Sequence, residues 1–214
     1  MNAPAAVPTK PRRAQARGEA TRHLILEATL SCIAEEGYAQ TSTVRVCERS
    51  GTSRGSLLHQ FSTRAELMAT AVAYLFERLT AAYVDAFAGI QPEAIHGVAR
   101  RIEVAGKLLR AAYADPRLPA VLDIYAAALT DAELMAALRP VAARHRQTVR
   151  EIARKLFPKT VTSKRAGRRL EVVLDALQGL AFRSVVYAEG AGDTIEGAKE
   201  LLVEVFTDAR KESV

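Results

Sequence analysis

Arg54, Ser56, His59 and Gln60 fall between Gly51 and Phe61 in the stretch "ERSGTSRGSLLHQFSTRAEL", and Arg64 follows just beyond. These side chains donate and accept hydrogen bonds, and two of them are arginines. An arginine fork can present two parallel N–H groups to a phosphate or to the N7 and O6 atoms of guanine. Leu57 and Phe61, four residues apart, are the apolar strip on the opposite side. Other chemistry finds little support. The chain shows no paired carboxylates, Ser/His/Asp set, metal-ligand spacing or glycine-rich phosphate loop, so no enzyme, metal site or cofactor is expected. Cys32 and Cys47 lie in helical patterns without CxxC spacing and read as reduced, small apolar side chains.

Positioning such a polar set requires two short helices and a tight turn. "TST" at 41–43 offers N-cap hydroxyls for one short helix, carrying Val44, Val46 and Cys47 inward. Gly51 ends it, as helices often end where positive φ is needed. Thr52 and Ser53 cap the next, over about 54–60. Before them, Ile25, Ala28, Cys32 and Ile33 recur at helical spacing from Thr21 onward, up to the "EEGY" stop. After them, a long helix starts near Thr63 or Arg64. Further helices are expected from Pro92 to about Ala114, over "AVLDIYAAAL", from Thr130 or Asp131 to Phe157, over 168–189, and from Asp193 or Thr194 to about Arg210. Pro140 falls inside the third of these and should kink or break it. No alternating strand pattern persists, so the fold class is all-α, with about nine helices.

The bulk numbers agree with a globular protein of 214 residues, 49% of them hydrophobic. No apolar run approaches the roughly 20 residues that span a bilayer. The first 22 residues lack an apolar core of signal-peptide length, which points to the cytoplasm. The net charge of +6 is unevenly spread. Residues 1–70 carry nine Lys/Arg against six acids, and 71–138 carry six against eight. Residues 139–169 carry eleven against one, and 170–214 carry four against nine. Basic zones of this kind attract phosphate backbones or an acidic ligand, although a solvated face and loop is the default explanation of the 139–169 run.

Two short helices on a glycine-containing turn, packed on a preceding helix, make a helix-turn-helix. Residues 21–68, "TRHLILEATLSCIAEEGYAQTSTVRVCERSGTSRGSLLHQFSTRAELM", resemble the DNA-binding domain of TetR-type (TetR/AcrR) transcriptional regulators. Arg22, Ile25, Leu26, Ala28, Gly37, Tyr38, Thr41, Ser42, Val46, Gly51, Ser53, Gly55, Leu57, Phe61, Arg64 and Leu67 stand in register with the family pattern. The chain departs from it at Cys47, where the family has alanine, at Leu58, where it has tyrosine, and at Gln60, where it has histidine.

The resemblance implies a flexible basic arm over 1–18, a helix-turn-helix domain over 19–66, and a larger helical ligand-binding and dimerisation domain over 67–214. It implies double-stranded DNA as partner, with Thr41, Ser42 and Arg45 on phosphates and Arg64 clamping the backbone. Thr52, Ser53, Gly55 and Ser56 complete the outer face, with Gly55 leaving room for close approach. Arg54 reads a guanine or holds a phosphate. Leu58 touches a thymine methyl or packs on the first helix, and His59 and Gln60 each hold a phosphate or a base edge. Lys10, Arg12, Arg13 and Arg17 either reach the neighbouring groove or form an inert tail.

A single head reads few base pairs, so a homodimer on a pseudo-palindrome is expected. "LEVVLDALQGLAFRSVVYAEG" is apolar almost all round, which suits a seam built from Leu170, Val173, Leu177 and Gly179, joined by Leu202, Val205 and Phe206. The resemblance also implies a pocket for an unidentified small-molecule effector, for which Tyr113, Tyr125, Gln178 and Phe182 are candidate lining residues. The function so implied is a ligand-responsive regulator, in the first place a repressor. The alternative is a helical interaction or small-molecule-binding protein that has lost specific operator binding.

Overall fold

A computed structural model of the chain describes residues 12–88, 95–97, 100–105 and 115–156, together with 168, 171, 172, 175, 176 and 179. Among the described residues all regular secondary structure is helical. Helix α1 spans Arg12–Glu36, α2 Thr43–Ser50 and α3 Arg54–Gln60. Helix α4 spans Arg64–Ala88, α5 Leu118–Ala128 and α6 Ala132–Leu156.

Helix α1 starts earlier than the sequence suggests. Residues 12–18, read as part of a flexible arm, are helical. From Arg12 onward the segment has no proline and is rich in Ala, Arg, Gln and Glu, all good helix formers. Gly18 inside it costs about 1 kcal/mol relative to alanine. The turn is nevertheless docked, because the Gln60 Nε2 group donates to the Gly18 carbonyl at 3.3 Å. The remainder of the arm, residues 1–11, lies outside the described residues.

The inner stripe of α1 is Ile25, Leu26, Ala28, Leu30, Cys32 and Ile33, all buried. Thr29 is buried among them, and its hydroxyl donates back to the Ile25 carbonyl at 2.8 Å, so no polar group is stranded. Gly37 ends α1 at φ +85°, its N–H bonded to the Ile33 carbonyl at 2.9 Å. Ser42 caps α2, its hydroxyl accepting from the Arg45 N–H at 3.2 Å. Gly51, left-handed at φ 65°, closes the other end. Ser53 caps α3 in the same manner, accepting from the Ser56 N–H at 3.1 Å.

Helices α1, α2 and α3 pack on one another. Val46, Leu57 and Phe61 are buried between them, as their spacing requires. Val44 is not: it is 53% exposed, against the expectation that it points inward. Residues 44 and 46 stand about 200° apart around a helix, so one of them had to face out.

Helix α4 opens with Thr63 accepting from the Glu66 N–H at 3.1 Å, while Glu66 reaches back to the Ser62 N–H at 2.7 Å. The Ser62 hydroxyl holds the same carboxylate at 2.6 Å, and these bonds keep its pKa below the usual range. Leu67, Met68, Ala71, Val72 and Leu75 are buried along α4. Before α5, Asp115 binds the Arg117 side chain at 2.7 Å and its N–H at 2.9 Å. Asp131 caps α6, accepting from the Leu134 N–H at 2.9 Å.

Of the kink or break expected at Pro140, the break does not occur, and α6 runs through it. Pro140 and Ala136, whose carbonyl loses its helical donor, both lie on the exposed face where water can serve instead. Within the expected fifth helix, residues 100–105 are helical and the rest lies outside the described residues. Residues 171, 172, 175, 176 and 179 are helical, in keeping with the expected eighth helix. The expected ninth helix lies outside the described residues.

The chain divides into two compact units. One takes the described residues up to Tyr74 together with Ala120–Leu138; the other takes the described residues of Leu75–Pro119 and those from Arg139 onward. This differs from the boundary expected at 66. The first turns of α4 bury Leu67, Met68, Ala71 and Val72, and Asp123 on α5 accepts from the Tyr38 N–H. In the second unit the ring of His145 stacks on Phe76, and Arg146 and Arg150 pair with Glu171.

Candidate nucleic-acid interface

Helix α3 is written with two faces, and the structure keeps them apart. Leu57 and Phe61 are buried at 2% and 1% exposure. Arg22 closes over them from α1, its guanidinium 4.5 Å from the Phe61 ring centroid and one N–H on the Gln60 carbonyl at 3.3 Å. Ser53, Arg54, Gly55, Leu58 and His59 are exposed on the other side. Leu58, which the sequence left between packing and outward contact, is 52% exposed. An apolar side chain turned to solvent beside an arginine and a histidine is available to a partner rather than to the core. Arg54 has no ion pair or hydrogen bond among the described residues. Thr52 and Ser56 are half-buried at the rim, and the Thr52 hydroxyl shares a 2.7 Å bond with Ser50.

Gly55 is open: a Cβ there would have Ser53 Oγ at 3.9 Å as its nearest neighbour. The fold alone therefore does not demand glycine at 55. The turn at Gly51 is different, because its demand is backbone conformation rather than space.

Other residues singled out from the sequence are turned inward or already engaged. Thr41 is 2% exposed, its hydroxyl on the Gly37 carbonyl at 2.9 Å. It holds the turn between α1 and α2, and the phosphate contact expected of its side chain does not fit this burial. Gln60 is half-buried and faces α1 through the Gly18 bond. Arg64 lies 4.0 Å over the Tyr38 ring and donates to the Tyr38 hydroxyl, the Tyr38 carbonyl at 2.9 Å and the Thr41 carbonyl at 3.2 Å. In this arrangement it fastens the start of α4 to the α1–α2 turn. Arg45 is exposed but carries two carboxylates, Glu36 at 2.7 Å and Glu48 at 3.3 Å. Those partners raise its pKa, the Glu36 hydrogen bond first. Ser42 is exposed next to it as the α2 cap.

Sequence reasoning missed Tyr38, Arg22 and Asp123 as the residues that hold the reading face in place. Tyr38 and Arg22 stood in the family pattern without an assigned role. Asp123 carried no signal, since its partner is the backbone of a residue 85 positions away. Of the candidate ligand residues, Tyr125 is half-buried, and desolvation pushes its hydroxyl pKa up to about 12. Tyr113, Gln178 and Phe182 lie outside the described residues. Of the candidate seam residues, Gly179 is helical and exposed, with nothing within 4 Å of a Cβ built there. Leu170, Val173, Leu177, Leu202, Val205 and Phe206 lie outside the described residues. Among the described residues no group of three or more His, Cys, Asp or Glu side chains is placed to hold a metal ion.

A buried anchor, a capped short helix with a polar outer face and a glycine turn together define a helix-turn-helix DNA-binding domain. Residues 25–71 match the family model described as bacterial regulatory proteins, tetR family. The chain is 27% identical over 176 residues to the HTH-type transcriptional regulator CymR of Pseudomonas putida, covering 81% of this chain and 84% of that one. Its fold is similar to that of the multidrug binding protein EbrR, crystallised with imidazole, with a TM-score of 0.65 at 21% identity, covering 94% of this chain and 97% of that one. A transcriptional regulator from Rhodococcus sp. Rha1 is similar in fold at a TM-score of 0.68 and 21% identity, covering 88% and 96%. The chain thus carries a DNA-binding domain of the TetR type in residues 25–71.

Proposed function

We propose that the chain is a homodimeric, effector-responsive repressor of the cytoplasm, without catalytic activity, that binds a pseudo-palindromic operator through α3. The observation that carries the reading is the division of α3, with Leu57 and Phe61 buried and Arg54, Leu58 and His59 exposed together. Arg54 in the first turn is the base reader, able to donate twice to a guanine edge for about 1–3 kcal/mol of discrimination. Leu58 serves a thymine methyl, and Ser42, Ser53 and Ser56 serve phosphates together with the N–H groups at the helix starts.

A dimer is supported by Val172, which is 68% exposed, with Ala176 and Gly179 exposed at helical spacing after it. A response to small molecules is supported by the likeness to EbrR, whose crystals also include an ethidium complex. An effector acts on such a dimer only if it binds the conformer that does not fit the operator more tightly than the one that does.

Titration of genomic fragments by gel shift tests the reading. Specific binding should weaken steeply with salt, each neutralised phosphate adding about −0.9 to the log–log slope. Arg54→Ala should change the ranking of preferred sequences rather than lower all affinities equally. Absent or salt-insensitive binding would favour the alternative, a helical binding protein that has lost operator recognition.

A further inference from the structure

Arg45 stands at the first turn of α2 with each nitrogen of its guanidinium donating to a carboxylate. Nε and Nη2 donate to the two oxygens of Glu36 at 3.2 and 2.7 Å, a fork-on-fork pair, and Nη1 donates to Glu48 at 3.3 Å. Glu36 is the last residue of α1 and Glu48 lies one turn along α2, so two elements contribute to the grip. Arg49 is held likewise by Glu35. Arg54, on the reading helix, has no such partner among the described residues. Of these three arginines, one is thus open and two are guarded.

A carboxylate meets an arginine fork with the geometry that two phosphate oxygens would offer. The pair is also poised for exchange, because the Arg45 side chain is 54% exposed and exposed ion pairs contribute little stability. We propose that Glu36, with Glu48 beside it, acts as a built-in competitor for DNA phosphate at Arg45, so that a duplex gains this contact only by displacing a carboxylate. This rests on the DNA-binding reading and adds a specificity determinant to it. A phosphate that meets Arg45 in good register replaces what it displaces. One that arrives out of register, as on an arbitrary sequence, cannot displace Glu36 and gains nothing from Arg45. Glu36 therefore suppresses non-specific binding.

The test is a double-mutant cycle with the full-length protein and a fluorescein-labelled random-sequence DNA duplex at fixed salt. Glu36→Gln should tighten binding about two- to fivefold, the range that exposed ion pairs of this kind support. The same change in an Arg45→Ala background should give no gain, and Arg45→Met serves as a second background. Thermal melting of each variant confirms that it is folded. A gain that persists without Arg45 would mean that Glu36 acts by plain charge repulsion, and the competitor proposal falls. No gain in either background overturns it as well. If the unmutated protein shows no salt-dependent affinity for any duplex, the DNA-binding reading falls and takes this proposal with it.

Discussion

His145 faces the ring of Phe76 with centroids 3.8 Å apart and planes 13° from parallel, and its Nδ1 is buried without a hydrogen-bond partner among the described residues. Desolvation lowers its pKa from 6.5 to about 4. The folded protein thus keeps the ring neutral where the unfolded chain would protonate it. Its contribution to stability is complete above the unfolded value and is lost as pH falls through the window from 6.5 to about 4. The loss should reach about 3 kcal/mol, since one pKa unit corresponds to roughly 1.4 kcal/mol. Denaturant unfolding across that pH range should show the decline, and His145→Phe, which keeps the stack, should flatten it. The arginines teach a related lesson at this scale. The sequence shows that Arg45, Arg54 and Arg64 are basic and near a helix-turn-helix, but only folding brings Glu36 and Glu48 to Arg45 and Tyr38 to Arg64, while Arg54 has no such partner among the described residues.

Helix limits were legible wherever a capping residue marks them. Ser42, Gly51 and Ser53 punctuate α2 and α3 through local bonds, so they can be read from residue type and spacing. Gly51 sits at φ 65° with open space around it, so the cost of a side chain there is backbone strain alone. Gly51→Ala should therefore destabilise the protein by about 1 kcal/mol, with Gly51→Asn recovering part of the loss. Thermal melting of the two variants checks this, and a larger loss for Ala would indicate a clash that the structure does not contain. The start of α1 and the outward turn of Val44 were not read correctly. The first depends on docking of Gly18 against Gln60, and the second on which side of a short helix meets the core.

At the scale of the molecule, the alternating charge zones find part of their explanation in pairing. Arg146 and Arg150, from the strongly basic run, bind Glu171 and Asp175 from the acidic segment that follows. Those arginines are thereby committed within their unit, while Arg144, Arg154 and Lys155 remain exposed. The same helical segment exposes Val172. If it forms the proposed seam, Val172→Glu should place like charges across a two-fold axis and give monomers in sedimentation at micromolar protein. Operator affinity should drop with it, while thermal melting of the monomer stays cooperative. An unchanged dimer would move the seam elsewhere.

From the sequence alone came the all-helical class, the short helices around Gly51, the buried pair Leu57 and Phe61, and the resemblance to TetR-type regulators. Each of these depends on periodicity or on contacts a few residues apart. Tertiary structure alone decided which of the candidate contact side chains remain free. Thr41 turned inward, Gln60 and Arg64 were tied to other elements, and Arg45 met two carboxylates, while Arg54, Leu58 and His59 stayed outside. The physical reason is that burial and hydrogen bonding are settled by groups distant in the chain, whose approach no local pattern encodes.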